Sequence, residues 1–487
     1  MFVGIDIGTT SVKSVLMAED GTLRASASSP VAVSRPRAGW SEQDPEHWWT
    51  AVCDTLDALA AAEPRLMAAV TGIGLSGHMH GATLLGEGDV VLRPAILWND
   101  GRAAIECAEL EAACPEAPAI SGNIVMPGFT APKLAWVRKH EPDIFARVRK
   151  VLLPKDYVRL RLTGTYASDM SDAAGTCWLD VGARRWSDAL LAATGLDRSQ
   201  MPELFEGTEA TARLREPLRA RFGMARAPVV AGGAGDNAAS ACGIGAVTPG
   251  SAFLSLGTSG VLFVSNARFS PNTAGAVHAF CHALPETWHQ MGVILSATDS
   301  LNWFSRLVGT PAPELTAALG ERVAKPSPAL FMPYLSGERT PHNDAGARGG
   351  FLGLDQTSSR QDLTQAVLEG VAFAFRDCLR VLRDAGTEVE RAFAVGGGAN
   401  SPVWLSIMAS VLDRPLDVTA AADVGAAYGA ARLGQAAATE ARDPAALMPP
   451  PPVLRTVEPD PALAAAYAER YARYRALYPV SAHAAEA

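Results

Sequence analysis

The stretches "FVGIDIGTTSVKSVL" (residues 2–16) and "AFLSLGTSGVLFVS" (residues 252–265) share one grammar. Each runs an apolar strand into a Gly-Thr turn with a third small hydroxyl residue, then leaves along an apolar return strand. A turn of glycine and threonine presents backbone N–H groups and hydroxyls together, which is what a phosphate oxygen requires. Taken singly, each is also an ordinary tight hairpin. Their occurrence in opposite halves of a 487-residue chain predicts two α/β lobes, residues 1–244 and 245–487, that grip a polyphosphate from both sides of a cleft.

Composition narrows the partners. A net charge of −9 argues against nucleic acid or an anionic membrane surface, without excluding small anions held by backbone dipoles. The seven cysteines are scattered and contain no C-x-x-C, so neither a zinc ribbon nor a disulfide framework is expected. "MFVGIDIGTT" has no basic region and meets Asp6 early, unlike a signal peptide, and Gly, Ser and Pro interrupt the longest uncharged run. The expectation is a soluble cytoplasmic protein.

Strands alternate with helices. Asp44 and Pro45 open a helix, "SSRQDLTQAVLEGVAFAFRDCLRVLRDAG" is a long amphipathic helix with a glycine stop, and Asp423 is read as the cap of a later helix. The four prolines at 449–452 read as a stiff linker before a closing helix that packs rather than functions.

Candidate chemistry gathers at a few places. In "PVVAGGAGDNAASACGIG" a single carboxylate, Asp236, stands among small residues. It is read as a helix cap, a loop residue or a catalytic base, and capping and catalysis are compatible. Asp6, ending the first strand, is placed to hold Mg2+ through water. Gly8, Thr9 and Thr10 form the first phosphate turn, and Gly257 and Thr258 lie in the second. Lys13 either reaches the phosphates or is a solvated strand lysine. In "VGGGAN", Gly397, Gly398 and Asn400 let backbone approach a nucleotide at a helix N-terminus.

With these stand "WSEQDPEHWW", "GHMHGATLL", "RPAILWNDGR", "MPGFTAPKLAWVRKH", "SDMSDAAGTCWLD", "GDNAA", "PYLSGERTPHND" and "GGGANSPVW". Together they resemble the FGGY family of carbohydrate kinases, from residue 2 to about 435. The resemblance implies a two-lobed actin-like ATPase (ribonuclease H-like) fold with a central nucleotide and sugar cleft. It implies ATP and Mg2+ as cofactors and, from "GHMHGATLL" and "WNDGR", phosphorylation of D-xylulose to D-xylulose 5-phosphate. A homodimer is compatible with it. The alternatives are a kinase of the same family for ribulose, gluconate or glycerol, and an actin-like ATPase that is no kinase.

Residue by residue, the resemblance makes Asp236 the general base and sets Met79, His80 and Asn237 on the sugar, with Gly397 and Gly398 on the adenosine side. Trp98 and Asp100 line the sugar pocket, or Trp98 belongs to the core. His78 and His80 form an H-x-H that on a strand puts both rings on one face, a metal pair without an evident third ligand. A neutral imidazole bonding a sugar hydroxyl suits His80 better. Asp169 and Asp172 read as a structural polar turn. A helix N-terminus favours an ionised Asp236 at neutral pH without special tuning. One departure concerns "GGAGDNAA", where the family turn is the shorter GGGDNAA. The extra residue is either absorbed as a bulge or shifts the base.

Overall fold

The computed structural model describes residues 1–420 and 425–483. In the first half, β1 (Phe2–Ile7), β2 (Ser11–Met17) and β3 (Leu23–Pro30) form an antiparallel meander. Then come α1 (Pro45–Ala62), β4 (Gly72–Gly77), α2 (Pro154–Thr163), β5 (Ala210–Arg213), β6 (Val229–Ala231), β7 (Ala234–Gly235) and α3 (Asp236–Ile244). The second half holds β8 (Ala252–Leu256), β9 (Gly260–Asn266), β10 (His278–Cys281), β11 (Trp288–Ile294), α4 (Arg360–Asp384), β12 (Ala392–Val395) and α5 (Pro402–Leu412). It closes with β13 (Leu416–Thr419), α6 (Ala426–Thr439), β14 (Val453–Val457) and α7 (Pro461–Ala476).

Two seven-stranded sheets result. The first runs β5-β6-β4-β1-β2-β3 with β7 also on β4, and the second runs β10-β11-β9-β8-β12-β13-β14. The caps act as their residues suggest. Asp44 accepts the Glu46 N–H at 3.0 Å, and Ser359 with Asp362 forms a capping box at the start of α4. Asp423 lies outside the described residues, and Gly425 occupies the cap position of α6. Beyond the prolines the closing helix packs, as expected. Val453–Val457 adds an edge strand beside Leu416–Thr419, and Leu463, Tyr467 and Tyr474 of α7 enter the second core.

The helix α6 follows β13 in sequence, yet it lies on the first sheet. Glycines in β1 and β4 make that approach possible. A Cβ at Gly4 would stand 1.9 Å from the Ala427 carbonyl oxygen, and one at Gly74 only 1.7 Å from that of Ala430. In turn Ala241 and Ile244 of α3 join a core with Phe253 and Phe263 of the second sheet. Each half thus sends a helix against the other, and α3 begins with Asp236.

Candidate active site

Register places the site. The strands β1, β4 and β7 are parallel, with Asp6 opposite Ser76, Ile7 opposite Gly77, Ala234 opposite Ser76 and Gly235 opposite Gly77. All three stop at one level. The residues that follow them (8–10, 78–80 and Asp236) therefore emerge together at the carboxyl ends, where open α/β sheets bind ligands. The second sheet repeats this. Leu254 and Ser255 of β8 pair in parallel with Ala394 and Val395 of β12, so the turns at 257–259 and 396–400 emerge side by side. In that pair Thr298 donates through N and Oγ1 to the Gly257 carbonyl at 2.9 and 2.8 Å, leaving Thr258 and Ser259 exposed. Gly398 is packed against Leu256, Thr298 and Trp404, whereas a Cβ at Gly397 would meet open space.

The turn before Asp236 carries a register shift. Val230 pairs with Ile73 but Ala234 pairs with Ser76, so four steps along one strand match three along the other. The chain absorbs the surplus at Gly232 and Gly233, the latter at φ 74°. Regular pairing resumes at Gly235.

Asp236 is the first residue of α3; the cap position belongs to Gly235. Its Oδ1 accepts from the backbone N of Asn237 at 2.7 Å and from Asn237 Nδ2 at 2.9 Å. The expectation of an ordinary ionised carboxylate does not hold. Burial, then the nearby Asp6 charge, push Asp236 up to about 7 against those two hydrogen bonds. Asp6 accepts from Ser76 Oγ at 2.9 Å. Burial raises it too, while Lys13, exposed and opposite it on β2, acts the other way. Two carboxylates drawn together in a cleft are a donor set suited to a hard divalent cation.

The strand β4 ends at Gly77, so the two histidines sit in a turn rather than on one strand face. His80 has φ 71°, and the rings part. His78 bonds the Ile7 carbonyl at 3.0 Å and lies edge-on to Trp48 at 5.4 Å. His80 Nδ1 lies 2.6 Å from the Gly175 carbonyl oxygen. A carbonyl only accepts, so Nδ1 carries the proton and Nε2 remains an acceptor. Burial first, then Lys133, hold His80 down to about 3, and burial holds His78 at about 4. Both rings are neutral, and among the described residues no group of three His, Cys, Asp or Glu is placed to hold a metal.

The small residues around Asp236 have a steric reason. A Cβ at Gly235 would stand 2.9 Å from Met79 Cγ, and one at Gly175 would stand 2.6 Å from His80 Cε1. Met79 is buried directly beside the base, and Asn237 is tied to its carboxylate. Trp98 is no core residue. It is 47% exposed and donates its indole N–H to Thr9 Oγ1 at 3.0 Å. Gln43 donates to the Thr9 carbonyl at 2.7 Å, so the first phosphate turn is braced from two sides. Asp100 is buried, held by Arg102 at 2.7 Å and the Ser41 N–H at 2.6 Å.

Further residues lie beside His80, some within the quoted motifs (Met126, Phe129, Arg339) and some, His278 and Phe280, outside them. His80 packs on Phe129 at 4.9 Å and on Phe280 of the second half at 6.4 Å. His278 stacks on Phe280, and Arg339 reaches Met126 Sδ at 2.8 Å and His278 Nε2 at 3.5 Å. Among the described residues no carboxylate forms an ion pair with the Arg339 side chain, although "SGERTPH" offered a lone basic residue in a motif. Asp169 and Asp172 lie in a buried ion cluster with Lys155.

Comparison with known proteins agrees with this geometry. Residues 1–243 match the N-terminal domain of the FGGY family of carbohydrate kinases, and residues 252–438 match its C-terminal domain. The chain is 49% identical to the xylulose kinase of Escherichia coli (strain K12), over 98% of both chains. It superimposes on the crystal structure of a "xyloylose kinase" from Brucella ovis with a TM-score of 0.97 and 58% identity, covering 98% of this chain and 99% of that one. A xylulose kinase from Rhodospirillum rubrum gives a TM-score of 0.91 at 32% identity, over 98% of each chain. The fold is the two-lobed, actin-like ATPase fold. With both halves matched and the cleft built between them, the chain belongs to the FGGY family of carbohydrate kinases.

Proposed function

We propose that this kinase transfers the γ-phosphoryl group of ATP to D-xylulose, giving D-xylulose 5-phosphate and ADP, with Asp236 as general base. The observation that carries the reading is the shared level at which β1, β4 and β7 end. It brings Asp6, the residues 78–80 and Asp236 to one face of the cleft. The xylulose kinases at 49% and 58% identity support the choice of sugar.

Bound Mg-ATP supplies the phosphoryl group and offsets its charge. Asp6 would hold the cation, with Lys13 opposite it on β2. Thr9 and Thr10 on one side and Gly257 and Thr258 on the other offer donors to the phosphates, while Gly8 gives its N–H to the Ser11 carbonyl at 3.0 Å and so closes the first turn. Gly397, Gly398 and Asn400 leave backbone room for the adenosine. His80 Nε2 accepts from a sugar hydroxyl, while Met79 and Trp98 wall the pocket and Asn237 orients the carboxylate. Asp236 then takes the proton of the attacking hydroxyl. A base poised near pH 7 suits that task, and a loose transition state requires proton loss only late.

The same reading divides the chain at residue 244, with α6 seated on the first lobe's sheet. It also takes the protein to be cytoplasmic, which the seven free, buried cysteines support. No described helix is long and apolar enough to cross a membrane.

The test is ADP release with Mg-ATP against D-xylulose, L- and D-ribulose, glycerol and gluconate. D-xylulose is expected to exceed every other sugar in kcat/KM by at least about tenfold, since one hydrogen-bonding group rejects a wrong polyol strongly. A higher value for another sugar overturns the substrate, and no release with any of them overturns the reading.

A further inference from the structure

Beneath the catalytic turn lies a cluster of charge with no access to solvent. Lys155, Asp156, Arg159, Asp169, Ser171 and Asp172 are each at most 1% exposed. Lys155 Nζ stands 2.6 Å from Asp156 Oδ1, 2.8 Å from Asp169 Oδ1 and 3.2 Å from Asp172 Oδ2. Replacing such a cluster with apolar packing generally leaves stability equal or better. A role other than stability therefore has to be sought in what the cluster touches.

It touches the chain that delivers Asp236, at two points. Arg159 donates to the carbonyl oxygens of Ala231 and Gly232, and to Thr211 Oγ1 at 3.2 Å. Those two carbonyls sit where β6 breaks pairing with β4 and the register shifts by one residue. Asp169 Oδ2 accepts from Ser171 Oγ at 2.5 Å. Ser171 Oγ in turn accepts the N–H of Gly235 at 3.1 Å, one residue before the base. Between the two contacts lie Gly233, at φ 74°, and Ala234.

A glycine-rich bulge is where register slips most easily, and a slip of one residue would turn Asp236 away from the cleft. The planar guanidinium fork is suited to holding two adjacent carbonyls, which a flexible ammonium is not. We propose that the Lys155–Asp169 cluster sets the register of the catalytic turn, with Arg159 and Ser171 as positioning residues that act through Asp236. The proposal rests on Asp236 being the base.

The test uses Ser171→Ala and Arg159→Lys in the full-length enzyme. A displacement of about 1 Å can cost two orders of magnitude in rate. Each variant is therefore expected to lose roughly 10- to 100-fold in kcat, with KM for D-xylulose and for ATP within about threefold of wild type. In an Asp236→Asn background, Ser171→Ala is expected to cause no further loss, because the group it positions is already inert. Wild-type kcat in both variants overturns the proposal, as does the same fractional loss from Ser171→Ala with and without Asp236. If Asp236→Asn alone turns over at the wild-type rate, the base assignment itself fails, and the proposal falls with it.

Discussion

Gly429 of α6 and Ala239 of α3 meet backbone to backbone: a Cβ at Gly429 would stand 1.7 Å from the Ala239 carbonyl oxygen. At this crossing a helix that begins with Asp236 is pressed against a helix seated on β1 and β4, the strands that present Asp6 and His80. The crossing couples the two halves of the site. Gly429→Ala forces the helices apart and is expected to destabilise the protein by about 1–3 kcal/mol or more. Thermal unfolding should show a clear drop in midpoint, and kcat should fall with it.

Gly397 is the contrasting case. Nothing lies within 4 Å of where its Cβ would stand, so alanine there should leave the unfolding midpoint unchanged. Its methyl group would project where the nucleotide is read to approach. The KM for ATP is expected to rise several-fold with the fold intact, measured by initial rates at saturating sugar.

Because Asp236 is held at about 7, chiefly by burial, activity should depend on pH near neutrality. The base works only when ionised. Below pH 7, kcat/KM for D-xylulose should therefore fall by about tenfold per unit. His80, held at about 3, cannot produce this limb. Asp6 raises Asp236 as the second cause, so Asp6→Asn should move the limb to lower pH in the residual activity. A limb that stays in place assigns it to another group.

Much of this was legible in the chain. The two Gly-Thr turns and the isolated Asp236 stand out because apolar strands flank the turns and small residues surround the carboxylate. What was not legible depended on distant partners. Gly4, Gly72 and Gly74 read only as small residues until α6 lies across them. The raised Asp236 depends first on burial and then on Asp6, from the opposite end of the lobe's sequence. The parting of His78 and His80 follows from the end of β4 at Gly77 and the positive φ of His80, whose ring then meets the Gly175 carbonyl and Phe280 of the other half. Lys155 and Arg159 are charges on a helix, α2, where solvent is the usual partner. Only the fold shows that they are enclosed.

The most direct measurement is steady-state turnover of Asp236→Asn with Mg-ATP and D-xylulose, alongside its unfolding midpoint. Asparagine keeps the shape and the Asn237 contact but removes the base. A folded enzyme with kcat reduced by roughly 10²- to 10⁴-fold is the predicted result. A folded variant turning over within a factor of two or three of wild type would contradict the account at its centre.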